Sequence, residues 1–432
     1  MNSRNVMCPD HPVRGHMPAA IQKFGGSSLA TPEKIRQVAE VVARSHAAER
    51  GSVVVVSARG EETDVLLSAA AELGAAPPPR ELDQLLATGE NAAAALLAVA
   101  LHDRGLPAVS LTGPQAGIRV SGTHGAGMIS AIDTGRLRAE LGRGRIVVVS
   151  GFQGGDGRGE VITLGRGGSD TTAVALAAVL GARACEIHTD VPGIYTADPR
   201  VVPEARVLPT VDAAVMAEMA FAGARVMHSR AVELAASNDL DVVVRGTFSA
   251  EPGTTILGRS ADMLETQGPV TAVAHDMNIA MALTRSDHAR DGLAADILTE
   301  LARSAVPIDL LSFGAPDGPG FRMGFALPGS RLPAAREALD RISARLGCAT
   351  EVDEKVGKVS LVGVGLLNRP DCTARLLAVL ARLGTTASWV SSTNLRVSVI
   401  IPLDRVPDAV NALHQEFGLG RDDLEAQTLV TA

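Results

Sequence analysis

Ile21-Gln-Lys23-Phe-Gly25-Gly26-Ser27-Ser28-Leu-Ala-Thr31-Pro32 runs from an apolar, β-branched start through paired glycines to a helix opener. It reads as a strand, a tight turn and the first turn of a helix. The same unit recurs through the first 260 residues. Strands are expected at Ile21–Phe24, Ser52–Ser57, Ala108–Thr112, Arg145–Ser150, Glu186–Thr189 and Leu240–Arg245. Helices are expected at Pro32–Ala48, Asp64–Leu73, Asp83–Asp103, Thr134–Leu141, Asp170–Leu180, Val211–Met219 and Ser229–Ser237. Near-continuous apolar strands alternating with helices predict an α/β fold whose mainly parallel sheet is sandwiched by helices. Ligands of such sheets bind at the carboxyl ends of the strands, where the Gly-rich segments of this chain fall.

The pattern changes after a Pro-Gly turn at Ser249–Gly253. Residues 270–346 read as strand, helix (Gly292–Ser304), two strands (Ile308–Phe313 and Gly320–Leu327) and helix (Arg331–Leu346). Residues 356–427 repeat the order with Lys358–Gly363, Cys372–Leu383, Ser388–Val390, Arg396–Ile401 and Val406–Phe417. A βαββαβ unit written twice is a pair of ferredoxin-like domains. The expected division is an N-terminal extension over 1–18, which reads as disordered or as preceding a start at Met17. A catalytic domain then spans 19–260, and two small domains span 261–350 and 351–432.

Composition narrows the function. A length of 432 residues suggests about three domains. Hydrophobic residues at 46% and charged residues at 20% describe a globular chain rather than a disordered one. With 8 Phe, 1 Trp and 1 Tyr there are few platforms for base stacking, and a net charge of −8 lacks a basic footprint, so no nucleic acid is expected. Cys8, Cys185, Cys348 and Cys372 are too scattered for a zinc site or a disulfide framework and suit a reducing cytoplasm. The apolar run Ala92–Leu101 is too short to cross a bilayer, so no membrane partner is expected. The chemistry points to two loops. Lys23 with Gly25 and Gly26 offers a compact cation and approachable backbone N–H groups to an anion, although the stretch also reads as a tight turn with an incidental lysine. Thr163-Leu-Gly-Arg166-Gly167-Gly-Ser169-Asp170 opens an Ala-rich helix, with Arg166 set between glycines as a fork for a carboxylate.

Together these loops resemble the signature segments of aspartate kinases. So do Thr189-Asp190-Val-Pro-Gly-Ile-Tyr195-Thr-Ala-Asp198-Pro-Arg200, Ser57-Ala-Arg-Gly-Glu-Glu-Thr63-Asp64, Ala87-Thr-Gly-Glu90, Thr112-Gly-Pro-Gln-Ala-Gly-Ile118 and Gly151-Phe152-Gln-Gly154, in the same order. The resemblance runs from about Ile21 to the C-terminus. It implies an amino-acid-kinase fold followed by two ACT domains, and transfer of the γ-phosphoryl group of ATP to the side-chain carboxylate of L-aspartate. An aspartate carboxylate has a pKa near ~4 and needs no general base, which fits motifs rich in Gly, Lys, Arg, Ser and Thr.

By this resemblance Lys23 contacts the transferring phosphate, and Gly25, Gly26 and Ser27 line the phosphate loop. Arg166 clamps the substrate α-carboxylate, with Gly167 and Ser169 beside it, and Glu90 meets the α-ammonium. Ser57, Thr63 and Phe152 complete the pocket, and Asp170 orients the phosphate-loop lysine or the metal-bound nucleotide. Thr189, Asp190, Tyr195, Asp198, Arg200 and Arg225 form the nucleotide end. Tyr195 also reads as a half-buried loop residue, Asp198-Pro-Arg200 as a turn, and Ser57 and Phe152 as ordinary turn and core residues. No protein metal ligands are specified; Mg²⁺ arrives bridging the nucleotide phosphates. The family also implies a cytoplasmic homodimer or larger assembly, with lysine or threonine as ACT effectors.

Departures from the pattern stand beside the resemblance. Gly223-Ala-Arg225-Val-Met-His228-Ser229-Arg230 carries Arg and Ser where most relatives have Lys and Pro. His228 at a loop–helix junction reads as structural. The first ACT unit reads Asp287-His-Ala-Arg-Asp-Gly292 in place of Asp-x-Pro-Gly, and Leu311-Ser-Phe313-Gly in place of a Gln-Asn pair; Ser391-Ser-Thr-Asn394 and Asn368-Arg-Pro-Asp-Cys372 in the second are retained. A kinase for another amino acid in specialised metabolism, or a silent amino-acid-binding regulator, are the other readings; Lys23, Arg166, Ser169 and Asp170 speak against silence. Each effector partner lost weakens binding by about 1–3 kcal/mol, so feedback inhibition is expected to be altered or absent. A dose-response of activity against lysine and threonine checks this, and strong inhibition by either at physiological concentration would contradict it.

Overall fold

The computed structural model describes residues 19–420, except 49–50, 75, 225, 260–267, 288–290, 305 and 315–319. The expected extension over 1–18 therefore lies outside the described residues, as do Arg225 and residues 288–290 of the Asp287–Gly292 loop. The chain forms two compact units. The first holds the residues up to Ile194 with Val207–Ala217 and Arg225–Met263; the second holds Tyr195–Arg206, Glu218–Ala224 and the chain from Leu264. Two short segments inside the 19–260 span thus cluster with the C-terminal part rather than with the large sheet.

The first unit begins β1 (Ala20–Phe24), α1 (Pro32–Ala48), β2 (Ser52–Val56), α2 (Glu62–Leu73) and α3 (Pro79–Asp103). It continues with β3 (Ala108–Leu111), β4 (Ile118–Thr123), β5 (Ala126–Ile132), α4 (Gly135–Gly142), β6 (Ile146–Ser150), β7 (Gln153–Gly155) and β8 (Val161–Thr163). Then come α5 (Gly168–Leu180), β9 (Ala184–Thr189), β10 (Thr210–Asp212), α6 (Ala213–Ala222), α7 (Ser229–Ala236), β11 (Asp241–Gly246) and β12 (Thr254–Leu257). α6 is divided, its second half from Glu218 belonging to the second unit. Eight strands form the main sheet in the order β10-β12-β11-β9-β1-β2-β6-β3. Every pairing in it is parallel except β11 with β12.

The central strands β2 and β6 are buried along their whole length, as uninterrupted Val runs covered on both faces require. On one face Phe24, Val54, Val56 and Val148 pack with Ile35, Val38 and Val42 of α1 and with Ala93, Ala94, Leu97 and Leu101 of α3. Burying each such Leu contributes about 2–3 kcal/mol. α3 is long and apolar enough to cross a membrane by length and composition, but half of that stretch is buried in this core. A second, small sheet runs β5-β4-β7-β8. It was not foreseen, and neither was β10: the stretch expected as helix Val211–Met219 opens as a strand and turns helical only at Ala213.

The second unit contains β13 (Val270–Asp276), β14 (Ile279–Ser286), α8 (Leu293–Arg303), β15 (Asp309–Gly314), β16 (Phe321–Pro328), α9 (Leu332–Leu346) and β17 (Ala349–Asp353). It closes with β18 (Val356–Gly363), α10 (Pro370–Arg382), β19 (Trp389–Ser392), β20 (Arg396–Pro402) and α11 (Val406–Glu416). The sheets are β15-β16-β14-β17 and β13-β18-β20-β19, antiparallel throughout. The first is a complete βαββαβ unit. The second takes its fourth strand from β13, which the sequence reading gives to the first unit. β18 is buried from end to end and needs partners on both edges, and β13 supplies the free one, from Val270 opposite Gly363 to Asp276 opposite Lys358.

Candidate active site

Polar loops of the first unit leave the carboxyl ends of β1, β2, β6, β9 and β11, where a parallel sheet presents ligand sites, and the Arg166 loop leaves β8 of the small sheet. Strand alternation decides what β1 offers there. Phe24 turns into the core and stacks on His188 with ring centroids 4.4 Å apart. Lys23 turns to the other face, and its ammonium lies 2.6 Å from Oδ1 of Asp170 in the first turn of α5. Both side chains are only about one-tenth exposed, at 12% and 11%. Removing one partner of such a pair strands the other charge, at a cost of about 3–5 kcal/mol.

The turn after β1 is tight for a specific reason. A Cβ on Gly26 would sit 2.5 Å from the carbonyl oxygen of Ala58 and 3.1 Å from that of Gly60. The loop after β2 is therefore packed directly on the loop after β1, and Gly60 N–H donates to the Gly26 carbonyl at 2.9 Å. Gly25 N–H donates to the carbonyl of His188 at 3.2 Å, tying the turn to β9. Ser28 and Thr247 hydroxyls meet at 2.6 Å, and Thr247 donates on to the Thr189 carbonyl at 3.0 Å. These bonds frame a cavity of about 330 Å³ lined by Ser27, Lys34, Thr189, Asp190, Thr247 and Phe248, among others. Ser27, Thr189 and Asp190 were expected together and are together. Lys34, Thr247 and Phe248 were missed, although Thr247 and Phe248 directly follow β11 and the carboxyl-end rule would have drawn attention to them.

Glu90 marks the other side of the site. It is buried in α3 and accepts the Ala58 N–H at 2.9 Å through Oε1, while Oε2 is buried without a partner. Burial raises its pKa to about 7 against the pull of two backbone hydrogen bonds, and the charge of Glu62 raises it further. A buried carboxyl with a vacant oxygen is what an ammonium ligand would satisfy. Ser57 follows β2, and Thr63 stands in the first turn of α2; both are half-buried.

Phe152 holds a left-handed backbone, φ 67°, unusual for a bulky side chain. Its N–H donates to Thr172 Oγ1 at 3.2 Å and its carbonyl accepts Leu164 N–H at 2.8 Å. Arg166 is exposed between Gly165 and Gly167, themselves at φ 75° and 73°, and its guanidinium has no hydrogen bond or ion pair among the described residues. Ser169 is buried against Gly151, where a Cβ would lie 2.9 Å away. His228 fits the structural reading. Its Nδ1 accepts Arg230 N–H at the start of α7, its side chain covers Gly167, and burial pushes its pKa down. The two expected loops meet at the Lys23–Asp170 contact, since Asp170 closes the same segment that carries Arg166.

The remaining nucleotide-side candidates are distributed differently. Tyr195, Asp198 and Arg200 belong to the second unit, and Arg225 lies outside the described residues. Tyr195 is half-buried there. Asp198 receives the Arg200 N–H at 2.9 Å and its guanidinium at 2.7 and 3.0 Å, the geometry of the turn reading.

Fold and site define the class. Residues 19–246 match the model of the amino acid kinase family, and residues 359–417 match an ACT domain. The aspartokinase of Mycolicibacterium smegmatis is 42% identical over 411 residues, 94% of this chain and 98% of its own. The crystal structure of aspartate kinase from Synechocystis is 37% identical with a TM-score of 0.52, covering 93% of this chain and 69% of that one. E. coli aspartokinase III, crystallised with aspartate and ADP, shares the fold with a TM-score of 0.78 over 92% of this chain and 99% of that one, at 24% identity. The chain belongs to the aspartokinases of the amino acid kinase family.

Glu90 makes the ligand-free protein sensitive to pH. Its folded-state pKa lies above the ordinary carboxyl value, so its contribution to stability is complete below about pH 4.5 and is lost as pH rises through about 7. The loss by pH 8 is at most about 3 kcal/mol. Urea unfolding at pH 5 and pH 8 is expected to show a smaller fall for Glu90→Gln than for the unsubstituted protein. Equal falls would contradict the assignment.

Proposed function

We propose that this chain transfers the terminal phosphoryl group of ATP to the side-chain carboxylate of L-aspartate, giving 4-phospho-L-aspartate and ADP. The observation that carries the proposal is the buried Lys23–Asp170 pair, whose aspartate closes the segment that carries an unengaged Arg166. In this reading Arg166 takes the α-carboxylate, beside Gly167 and Ser169, and the vacant oxygen of Glu90 takes the α-ammonium. Ser57, Thr63 and Phe152 close the pocket around the acceptor. The side-chain carboxylate is already ionised near neutrality, so its oxygen forms the bond to phosphorus while the bond to the bridging oxygen of ADP breaks, with no proton to remove.

Lys23 spreads the charge that shifts during this exchange, Asp170 holds the ammonium in place, and Gly25, Gly26 and Ser27 present backbone to the phosphates. Thr189 and Asp190, with Lys34, Thr247 and Phe248, would hold the nucleoside end; Tyr195, Asp198, Arg200 and Arg225 are assigned to the nucleotide by family resemblance alone. No group of three His, Cys, Asp or Glu side chains suited to a metal occurs among the described residues. Mg²⁺ is assigned to the nucleotide phosphates, whose charge it would neutralise when bound. The proposal extends to the first step of the aspartate-derived amino acid pathway, a cytoplasmic homodimer or larger homo-oligomer, and lysine or threonine as candidate ACT effectors. The domain division proposed is catalytic over 19–260 and regulatory over 261–350 and 351–432, with the exchanges of β13 and the two short segments described above.

Trapping acyl phosphate with hydroxylamine, in the presence of ATP, Mg²⁺ and a panel of amino acids, tests the reaction. Aspartyl hydroxamate is the expected product. Lys23→Ala is expected to lower kcat by roughly two orders of magnitude or more. Glu90→Ala is expected chiefly to raise KM for aspartate with nucleotide binding intact. A different preferred acceptor would reassign the substrate, and no hydroxamate with any amino acid would overturn the proposal.

A further inference from the structure

Asp83 is buried in the second turn of α3, 1% exposed, with a carboxylate surrounded by donors. Oδ1 accepts the Thr163 hydroxyl at 2.5 Å, and Oδ2 accepts the Thr163 N–H at 3.0 Å. The Gly125 N–H lies 3.1 Å from both oxygens, and His124 Nδ1 lies 2.7 Å from Oδ2. One side chain thus joins the end of β8, where the Arg166 loop begins, to the tip of the β4–β5 hairpin.

The hairpin tip is itself a wall of that loop. A Cβ on Gly165 would lie 2.8 Å from the Gly125 carbonyl oxygen. Arg230 reinforces the contact by donating to the Leu164 carbonyl at 3.1 Å and to the Gly127 carbonyl at 2.9 Å. Arg166, exposed and unengaged, therefore stands on a backbone whose two neighbours are fixed from several sides.

Asp83 shares a helix stripe with two other anchors. Residues at i, i+4 and i+7 lie on one helix face. Asp83 holds Thr163 and Gly125, the Ala87 carbonyl accepts Gln153 Nε2 at 3.0 Å, and Glu90 holds Ala58 N–H at 2.9 Å. The end of β8, the start of β7 and the loop after β2 thus hang from one helix, and two helical turns, about 10 Å, separate the residues that hold the outer two. We infer that Asp83 is a positioning residue for acceptor binding, fixing the Arg166 loop at a set distance from Glu90 through its bonds to Thr163 and the hairpin tip. A rigid α-amino acid has a fixed separation between ammonium and carboxylate, so this spacing governs acceptor affinity and leaves the nucleotide cavity untouched. The inference rests on the functional reading above.

Steady-state kinetics of the full chain, varying aspartate and ATP separately, supply the test. Asp83→Asn leaves at least one donor facing a donor and is expected to raise KM for aspartate roughly tenfold or more, with KM for ATP within about twofold. Thr163→Val breaks the loop side alone and is expected to act in the same direction, while Thr163→Ser keeps the hydroxyl and returns KM for aspartate to within about twofold. The threonine pair carries the test if Asp83→Asn does not fold. A merely structural role would lower the active fraction, and so kcat, with both KM values unchanged; that result, or parallel rises in both, overturns the inference while wild-type turnover upholds the functional reading. Absence of aspartate turnover in the wild type overturns both.

Discussion

The ion pair between Lys23 and Asp170 joins the central strand β1 to the first turn of α5 and fixes where positive charge is available. Its existence follows from strand alternation: once Phe24 is committed to the core, Lys23 must cross to the face covered by α5. Both groups are largely out of water, so the pair persists only with close geometry. The contact is close but not a well-directed hydrogen bond, since Asp170 Oδ1 has no partner of hydrogen-bond geometry. The ammonium retains donors for an incoming anion. Asp170 also stands in the same helical turn as Ser169, so the cation, the helix start and the Arg166 loop are set by one contact.

In the proposed reading the site divides from that pair into two functions with separate supports. The phosphate side is built from close backbone approach, where Gly26 leaves room for the carbonyls of Ala58 and Gly60. The proposed acceptor side is built from buried carboxyl groups on α3, one of them saturated with donors at Asp83 and the other left half-satisfied at Glu90. The contrast is physical: both oxygens of Asp83 are met by donors from the protein, whereas Oε2 of Glu90 is buried with none. The second unit shows another use of buried charge. Lys358 and Arg396 meet Asp309 at 2.9 and 3.3 Å, and both cations lie over the Phe221 ring. Burial works to raise the pKa of Asp309, but the two cations prevail and hold it below the ordinary range.

Much of this was legible because strong local signals coincide with function. Ile21–Ser28, the loop opening at Thr163 and the Val-rich strands each carry unmistakable periodicity or glycine spacing. Glu90 was legible only through family resemblance; nothing in its own neighbourhood of Ala and Leu marks it. Asp83 reads as an ordinary helix start because its meaning lies in Gly125 and Thr163, far along the chain. The small sheet escaped notice because β4 and β5 carry Gly, Ser and Thr on largely exposed strands, and β7 and β8 are three residues each. β13 was misassigned because its partner β18 lies beyond an entire intervening domain. The left-handed Phe152 leaves no trace in composition at all.

A crystal structure of the chain with L-aspartate and a non-hydrolysable ATP analogue tests the central claim most directly. The account predicts Lys23 Nζ within hydrogen-bonding reach, about 3 Å, of the terminal phosphate. It also predicts the acceptor's side-chain carboxylate facing that phosphate, with Arg166 on its α-carboxylate and Glu90 on its ammonium. An amino acid bound away from Arg166 and Glu90, or a terminal phosphate beyond the reach of Lys23, would contradict it.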